Sequence, residues 1–482
     1  MMPNSLKYIA LLSLTAVCHA LMPKRGRNAL LLAASWLFYL LSMPKYLPLL
    51  IVVTGATFLT AKWMENHPDR KRFALTAALL GCFGLLYLYK YLAFTGQLLS
   101  MLPGVGTIEL PQLVQPLGIS FYLFCVTGYL IDVYRGAAAE KSFVDYSLMV
   151  SFFPAVLSGP IARSKGLLPQ LKDRTPGWMD VKRGITRFLV GMAKKMLLAD
   201  VLSAMVATVY ADVAAFTGPQ VIFAAICYSL QIYCDFSSYS DMAVGAGLLF
   251  GIRLMENFDT PYFAQSIPEL WRRWHISLSS WFRDYLYFPL GGSRKGRLRT
   301  NLNLMIVFAV SGLWHGAAWT FVIWGALHGF YQVIGILLKK PKSALYAKLG
   351  IDESAGWVRA MRCVITFILV DFAWIFFRAN SFADLRTLMV KLFTDWEWNV
   401  SYFAESFSVM GLSAIGVGIS LMAIYLMNRM DCGALTPDPL PEGGRRPVLA
   451  SVHYTYFLWA IAAAWLILLA GDGASSFIYF QF

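Results

Sequence analysis

The chain has 482 residues, of which 58% are hydrophobic and only 14% are charged, whereas a soluble globular domain carries about 25% charged residues. This composition excludes a soluble protein, and apolar runs of helical length exclude an outer-membrane barrel. The net charge of +14 would suit a nucleic-acid-binding protein, but the basic residues lie in short loops between apolar runs, as in a multi-span membrane protein. We therefore predict contact with membrane lipid and no nucleic-acid partner. The seven cysteines occur singly, without metal-ligand spacing, so we predict neither a metal site nor a disulfide.

The first part of the chain predicts five membrane spans, whose orientation follows from the loop charges. Basic clusters at Lys24–Arg27 and Asp69–Arg72 follow the first and third apolar runs and belong on the cytosolic side, which places the N-terminus outside the cytosol. Residues 95–114 carry only Glu109 as a charge and form an outer stretch. The five predicted spans are residues 5–22, 28–43, 46–62, 73–94 and 115–134.

The next segment is predicted to contain broken backbone. Residues 145–162 are apolar but include Phe153-Pro154 and Ser158-Gly-Pro-Ile161. Residues 163–195 carry nine basic residues and should also lie inside. A segment that begins and ends on one face is re-entrant, and irregular backbone at membrane depth is tolerated only where it is buried in protein or lines a water-filled cavity.

The second half of the chain alternates apolar spans with basic inner segments. The polar stretch Tyr233–Asp241 falls inside a predicted span and must face the protein interior rather than lipid. Residues 253–300 carry eight basic residues and lie inside. Their large apolar side chains recur at helical spacing, which predicts one interfacial or re-entrant amphipathic helix. The residues of that stripe are Trp271, Trp274, Leu278, Trp281 and Tyr285. The predicted spans of this half are residues 196–215, 219–248, 301–318, 319–338, 357–377, 406–428 and 449–470.

Together these elements predict an all-α polytopic membrane protein that forms a single membrane-embedded domain over residues 1–482. We count about 12 crossings, with both termini outside the cytosol. The Pro- and Gly-rich residues 432–447 are interpreted as a cytosolic linker. The basic residues that mark the later inner loops are Lys339, Lys340, Lys342, Arg429, Arg445 and Arg446.

Two histidines are notable for their surroundings. His315 lies in an otherwise apolar run, within Gly312-Leu-Trp-His-Gly316, and His275 ends the segment Trp271-Arg-Arg-Trp-His275. An ionisable group inside a hydrocarbon-length segment is costly, so function is its default interpretation, and imidazole is suited to proton transfer near pH 7. The alternative is a histidine that only packs and hydrogen-bonds a neighbouring helix. For His328, on the following predicted span, we favour packing or a supporting role over catalysis.

Eight short motifs occur in order along the chain: Pro116–Tyr122, Tyr129–Arg135, Ser158–Ile161, Asp235–Asp241, Trp271–His275, Tyr287–Gly292, Gly312–Gly316 and Trp374–Arg378. Together they resemble the membrane-bound O-acyltransferases (MBOAT), specifically the bacterial alginate O-acetyltransferase-like branch. The resemblance covers about residues 110–380, with flanking helices over 1–110 and 380–482. It implies a ring of tilted helices, plus re-entrant or interfacial ones, around a funnel with a thin central core. It also implies that His315 is the principal catalytic residue and His275 the second signature position.

The activity implied by the resemblance is transfer of an acyl group from a cytosolic thioester to a hydroxyl at the outer face of the bacterial inner membrane. Such a transfer needs a base for the hydroxyl proton and a donor that stabilises the oxyanion. His315 would be the base, neutral because burial disfavours imidazolium. His275, a tryptophan N–H or a backbone N–H near Gly312 or Gly316 would stabilise the oxyanion or the leaving thiolate. The alternative for His275 is an interfacial histidine beside Arg272 and Arg273.

A basic run follows the predicted amphipathic helix and consists of Arg294, Lys295, Arg297 and Arg299. The main interpretation of this run is that its charges mark a cytosolic loop. The secondary interpretation is a docking surface for the phosphates of coenzyme A or for an acidic acyl carrier protein. We expect no permanently bound cofactor, since the donor, acetyl-CoA or an acyl carrier protein, is a substrate on the cytosolic side. The expected outer partner is a polysaccharide or an extracytoplasmic acetyltransferase that receives the acyl group first.

Three other functions stay open from the sequence. Within the same fold, the transferred group could be D-alanine, moved from a carrier-protein thioester toward teichoic acid. A transporter would also suit broken helices with polar groups at the membrane midplane, although the chain lacks a two-fold repeat. A non-enzymatic scaffold for export machinery would leave His315 unexplained.

Overall fold

The structure is a computed structural model that describes residues 1–104, 106–398, 400–409 and 477–478. Within these residues the regular structure is helical and no strand is formed; an isolated antiparallel bridge joins Phe258 and Trp274. The described residues divide into two compact units, one of residues 1–192, 239–256 and 477–478 and the other of residues 193–238 and 257–409. The predicted all-α class is confirmed.

The first unit contains nine α-helices within its described residues, and serine caps define where two of them begin. The helices are α1 Leu6–Leu21, α2 Arg27–Ser42, α3 Leu47–Asn66, α4 Lys71–Leu86, α5 Leu92–Ser100, α6 Ile119–Tyr134, α7 Phe143–Ser151, α8 Ser164–Lys172 and α9 Trp178–Ala193. Ser5 Oγ accepts a hydrogen bond from the Tyr8 N–H at 3.3 Å, and Ser142 Oγ accepts one from the Asp145 N–H at 3.2 Å. Each bond satisfies a backbone donor that the first helical turn leaves without an intrahelical partner.

The predicted broken segment of the first unit is a short helix followed by buried irregular backbone. α7 has 9 residues and is about 14 Å long, well short of a hydrocarbon core of about 30 Å. Residues 152–163 are irregular, and 152–161 are buried. Gly118 permits close packing there, since a Cβ at this position would lie 2.1 Å from the carbonyl oxygen of Val156. The backbone break is confirmed, while the side of the membrane that its two ends face stays a prediction.

The second unit contains the remaining described α-helices. They are α10 Asp200–Ala211, α11 Gly218–Leu249, α12 Ile267–Arg273, α13 Ile276–Phe282, α14 Gly296–His315, α15 Trp319–Lys348, α16 Gly356–Arg378, α17 Phe382–Lys391 and α18 Val400–Val409. The last turns of α11, from Tyr239 onward, belong to the first unit. The predicted end of a helix at residue 338 is wrong: α15 continues, and Lys339, Lys340 and Lys342 lie in the helix rather than in a loop. Leu, Lys and Ala are good helix formers, so the charged residues extend the helix beyond its apolar part.

Five helices of the described chain are long and apolar enough to cross a membrane, and two shorter helices are apolar. The five are Pro44–Asn66, Lys71–Ser100, Gly218–Leu249, Trp319–Lys348 and Gly356–Arg378, and the shorter two are Leu6–Leu21 and Ile119–Tyr134. The chain is therefore a membrane protein by composition and helix length, and the figure of about 12 crossings stays a prediction. The predicted span 449–470, most of the span 406–428, the linker 432–447 and Arg429, Arg445 and Arg446 lie outside the described residues.

The polar stretch Tyr233–Asp241 of α11 is buried, as predicted. In the second unit, Lys195 Nζ donates to Asp235 Oδ1 at 2.6 Å. In the first unit, Arg187 Nη2 donates to Asp241 Oδ1 at 3.0 Å. Each buried carboxylate thus has a cationic partner, which is what a charge requires in the protein interior.

Candidate active site

His315 is the last residue of α14, and only 4% of its surface is exposed. The helix ends there because Gly316 is extended, with φ −160° and ψ 149°. Ala318 is extended as well, with φ −150° and ψ 152°, and α15 begins directly after it. The imidazole therefore lies at the turn where the chain reverses from α14 into α15.

Glycines let α14 and α15 pack backbone to backbone beside this turn. Both helices carry the pattern Gly-x-x-His-Gly, at Gly312–Gly316 in α14 and at Gly325–Gly329 in α15. A Cβ on the first glycine of either pattern would lie 2.2 Å from a carbonyl oxygen of the other helix, that of Phe321 or of Phe308. Such contact is the small-xxx-small packing of membrane helices and has no room for a side chain. It sets the position of His315, one turn beyond the first glycine of its pattern.

Aromatic rings surround the His315 imidazole. The ring of Trp324 on α15 is nearly perpendicular to it, at an interplanar angle of 89° and a centroid distance of 5.0 Å. The ring of Phe377 on α16 lies 5.5 Å away, and that of Trp314 lies 4.9 Å away. The His315 imidazole is therefore enclosed by aromatic side chains from three helices.

The predicted single amphipathic helix around Trp271 is wrong, because the chain is broken at His275. α12 ends at Arg273 and α13 begins at Ile276, and His275 between them has a φ of +45°. Trp274 and His275, at the break, are buried, with exposures of 2% and 0%.

Asn257 holds His275 in this conformation. The backbone N–H of Ser277 donates to Asn257 Oδ1 at 3.2 Å, and the Ser277 hydroxyl donates to the same atom at 2.9 Å. The atom is therefore the amide oxygen, and His275 Nδ1, 3.1 Å from it, must carry a proton and donate to it. Burial lowers the pKa of His275 to about 3, so the ring is neutral and its Nε2 carries a lone pair.

The structure brings the two predicted catalytic histidines together. The ring centroids of His275 and His315 are 6.5 Å apart. The Trp314 ring lies 6.2 Å from that of His275. Two imidazoles within one aromatic cluster are suited to proton transfer.

His328 lies on α15, one turn beyond Trp324, and is fully buried. Its Nδ1 accepts a hydrogen bond from Trp271 Nε1 at 3.3 Å. The ring centroids of His328 and Trp324 are 5.1 Å apart, and those of His328 and Trp271 are 5.0 Å apart. His328 is thus part of the same aromatic cluster as His315, through Trp324.

The predicted donor-docking residues lie at the other end of α14. All four, Arg294, Lys295, Arg297 and Arg299, are exposed. At about 1.5 Å per residue, Arg297 is about 27 Å along the helix from His315. The structure therefore does not bring the basic run to the histidines, although α14 carries Arg297, Arg299 and His315.

Sequence reasoning missed Asn257. It lies 18 positions before His275 in an irregular segment, and no local pattern links the two. The sequence offers only a weak indication of Asn257. It is an amide side chain directly before the aromatic Phe258, in the segment that precedes the Trp271–His275 motif. The paired Gly-x-x-His-Gly patterns were also visible in the sequence and would have connected His328 to His315.

The chain is similar to several known proteins. Residues 133–340 match the model of the MBOAT, membrane-bound O-acyltransferase family. The chain is 34% identical over 490 residues to the probable alginate O-acetylase AlgI of Azotobacter vinelandii, with 96% of each protein covered. It is 34% identical over 381 residues to the peptidoglycan O-acetyltransferase of Helicobacter pylori, covering 73% of this chain and 71% of the relative. It is 28% identical over 286 residues to the teichoic acid D-alanyltransferase of Streptococcus thermophilus, covering 55% of this chain and 69% of the relative.

Similarity of this extent confirms the family resemblance and the prediction of an enzyme. The aligned length includes both compact units and both histidine motifs. The chain belongs to the membrane-bound O-acyltransferase family, in its alginate O-acetylase-like branch, and is an O-acyltransferase.

Proposed function

We propose that the protein moves an acyl group from a cytosolic thioester across the membrane, and that this group is acetyl. The acceptor is a hydroxyl on an exported polysaccharide or an intermediary extracytoplasmic transferase. Relatives named for alginate and peptidoglycan O-acetylation support this substrate class. The observation that carries the proposal is the burial of His315 at the α14–α15 turn, with the His275 ring 6.5 Å away.

In the proposed reaction, His315 is the general base. It takes the proton of the acceptor hydroxyl as that oxygen bonds to the thioester carbonyl carbon, and the carbonyl π electrons move to oxygen. When this tetrahedral intermediate collapses, the C–S bond breaks, the ester carbonyl forms, and the thiolate takes the proton from the His315 imidazolium. A thioester is already activated, so no covalent enzyme intermediate is needed. Neutral His275 has its lone pair at Nε2 and can accept a hydrogen bond from a bound substrate there.

The exposed basic run at the start of α14 is the proposed docking surface for the anionic part of the donor. Arg294, Lys295, Arg297 and Arg299 stand at a helix N-terminus, where the helix dipole adds positive potential. The separation of about 27 Å from His315 favours a donor whose acyl end is carried on a long thin arm, such as coenzyme A or an acyl carrier protein. In this proposal the protein lies in the bacterial inner membrane with about 12 crossings around a thin core, and both termini are outside the cytosol.

The experiment that tests the proposal is the His315→Ala variant. We expect it to abolish O-acetylation of the exported polysaccharide while membrane insertion and protein level are unchanged, because the general base is lost. His67→Ala is a matched control, since His67 is an exposed histidine of the first unit. Near-normal acylation by a stably inserted His315→Ala protein would contradict the mechanism. Loss of the protein itself would favour a packing role.

A second candidate function is D-alanyl transfer, which the relative named teichoic acid D-alanyltransferase favours. The two candidates differ in the acyl group, so the purified protein can be offered acetyl and D-alanyl carrier-protein thioesters in parallel. Consumption of the D-alanyl thioester alone would select the second candidate.

A further inference from the structure

Two buried hydrogen-bond donors lie side by side on α15. Trp324 and His328 are four residues apart, so they share one helix face, and their exposures are 1% and 0%. An indole N–H is only a donor, so the bond from Trp271 Nε1 to His328 Nδ1 requires a lone pair on Nδ1. An imidazolium has no such lone pair. His328 is therefore the neutral tautomer with its proton on Nε2.

Neither donor reaches an acceptor among the described residues: both Trp324 Nε1 and His328 Nε2 are buried without a hydrogen-bond partner there. An unmatched buried donor is destabilising, and native proteins retain few of them. Among the buried atoms without a described partner, these two share one helix face, one turn apart, beside the proposed base, so an acceptor supplied by a ligand could bind both.

The surroundings define the chemistry of that acceptor. The rings packed against His328 are those of Trp271, Phe308, Trp324, Tyr331 and Trp374, all uncharged. A site with two N–H donors and no cation among these rings suits a neutral oxygen with lone pairs, such as a carbonyl, better than a phosphate or a carboxylate. Trp324 also lies against the proposed base, with its ring centroid 5.0 Å from that of His315.

The reaction at His315 needs such donors from outside the histidine pair. Neutral His275 donates through Nδ1 to Asn257, and its Nε2 has a lone pair rather than a proton. It therefore has no second N–H to offer to an oxyanion.

We propose that Trp324 Nε1–H and His328 Nε2–H bind the carbonyl oxygen of the acyl group that is being transferred. This inference rests on the proposed function. As the acceptor oxygen bonds to the carbonyl carbon, the π electron pair moves onto the carbonyl oxygen, and the two N–H groups hold the resulting oxyanion without giving up their protons. On collapse the pair returns, the C–S bond breaks, and the thiolate takes its proton from His315. His328 is in this view a catalytic residue.

The first test uses variants that remove one donor each. Trp324→Phe keeps an aromatic ring but has no N–H, and His328→Leu has neither ring nitrogen. We expect kcat to fall by about 10²-fold in each, as on removal of one oxyanion donor, with donor KM changed only a few-fold. His328→Gln retains both a donor and an acceptor for Trp271 and should recover part of the loss. Trp281→Phe, in another buried tryptophan of this unit, is the matched control and should keep wild-type kcat.

The second test observes the carbonyl directly by infrared spectroscopy. The probes are acetyl-coenzyme A and an acetylated carrier protein, each with a ¹³C-labelled carbonyl, bound to the His315→Ala protein so that the acyl group is not consumed. The spectrum to compare is that of the thioester which the wild-type protein uses as its donor. Adding Trp324→Phe or His328→Leu should shift its ¹³C=O stretch to higher wavenumber, because a hydrogen bond to the carbonyl oxygen is lost.

The outcomes separate this inference from the proposed function. An unchanged stretch, or full kcat in folded Trp324→Phe and His328→Leu proteins, would overturn the inference and leave the two donors as ligands of structural water. Transfer from neither thioester by the wild-type protein, or full activity of His315→Ala, would instead overturn the proposed function.

Discussion

At the scale of single residues, His275 combines backbone strain with full burial. A left-handed conformation costs a non-glycine residue about 1–2 kcal/mol. It is retained because the flanking chain is held on both sides: Ile276 N–H donates to the Asn257 carbonyl at 3.0 Å, and Asp259 N–H donates to the Arg273 carbonyl at 2.9 Å. The left-handed backbone at His275 interrupts the helix, and the imidazole lies next to that of His315.

Asn257→Ala is expected to destabilise the protein and to slow acyl transfer. The variant removes the shared acceptor of three buried donors, which should lower the free energy of unfolding by about 1–3 kcal/mol. Because a misplacement of about 1 Å can cost 10²-fold in rate, kcat should fall by up to that factor as the His275 ring loses its orientation. Thermal unfolding in detergent and the acyl-transfer rate measure the two effects.

Ser277→Ala is the matched control for Asn257→Ala, since it removes one of the three donors and leaves the His275–Asn257 bond in place. We expect it to lose at most about 1 kcal/mol and to keep near-normal kcat. An Asn257→Ala protein as stable and active as the wild type would show that Asn257 does not position His275.

At the scale of elements, the α14–α15 pair is set by glycines whose neighbours leave no room for a methyl group. Gly325→Ala would place a Cβ 2.2 Å from the Phe308 carbonyl oxygen, so the helices must separate. We expect a loss of stability of about 1–3 kcal/mol, and a loss of activity because Trp324 moves away from His315. Thermal unfolding and acyl transfer are the measurements.

Gly335→Ala, in the same helix, provides the comparison for Gly325→Ala. No described atom lies within 4 Å of a Cβ at this position. Since alanine is a better helix former than glycine by about 1 kcal/mol, the variant should be neutral or stabilising. Equal effects of the two substitutions would show that the close approach of α14 and α15 does not matter for the site.

The start of α14 carries the second prediction at this scale. Replacing Arg294, Lys295, Arg297 and Arg299 by Gln should raise donor KM more than it lowers kcat, because these residues bind the distant anionic part of the donor. The apparent donor affinity of the wild type should also fall as ionic strength rises. The matched comparison is the donor KM of the double variant Arg294/Lys295→Gln against that of Arg70/Arg72→Gln. Arg70 and Arg72 are two exposed cations of the first unit. An unchanged donor KM in the fourfold variant would rule out docking at this surface.

At the scale of the whole molecule, the loop charges predict the orientation of the chain. Residues 163–195 should face the cytosol and both termini the outside. A cysteine at Thr175, an exposed position, tests this in a background from which the seven native cysteines are removed. We expect an impermeant thiol reagent to label it only from the cytosolic side. Labelling from outside would show that residues 145–162 span the membrane.

Much of the helical layout follows from the sequence alone. The spans predicted at 219–248 and 357–377 are α11, Gly218–Leu249, and α16, Gly356–Arg378. Such boundaries are local properties, because a helix in lipid must satisfy its own backbone hydrogen bonds and show an apolar surface over its full length. The motifs around His275 and His315 are local as well, and they were sufficient to select both histidines and the family.

Only the tertiary structure decided how these residues meet. The apolar stripe from Trp271 to Tyr285 is compatible with one continuous helix, and the break at His275 depends on Asn257, whose contact with it no periodicity encodes. The unmatched donor of His328 is recognised only when every neighbour is in place. Its tautomer depends on Trp271, 57 positions earlier in the chain. Hydropathy is carried by each residue, whereas strain, tautomer and hydrogen-bond partners are properties of residues that only folding brings into contact.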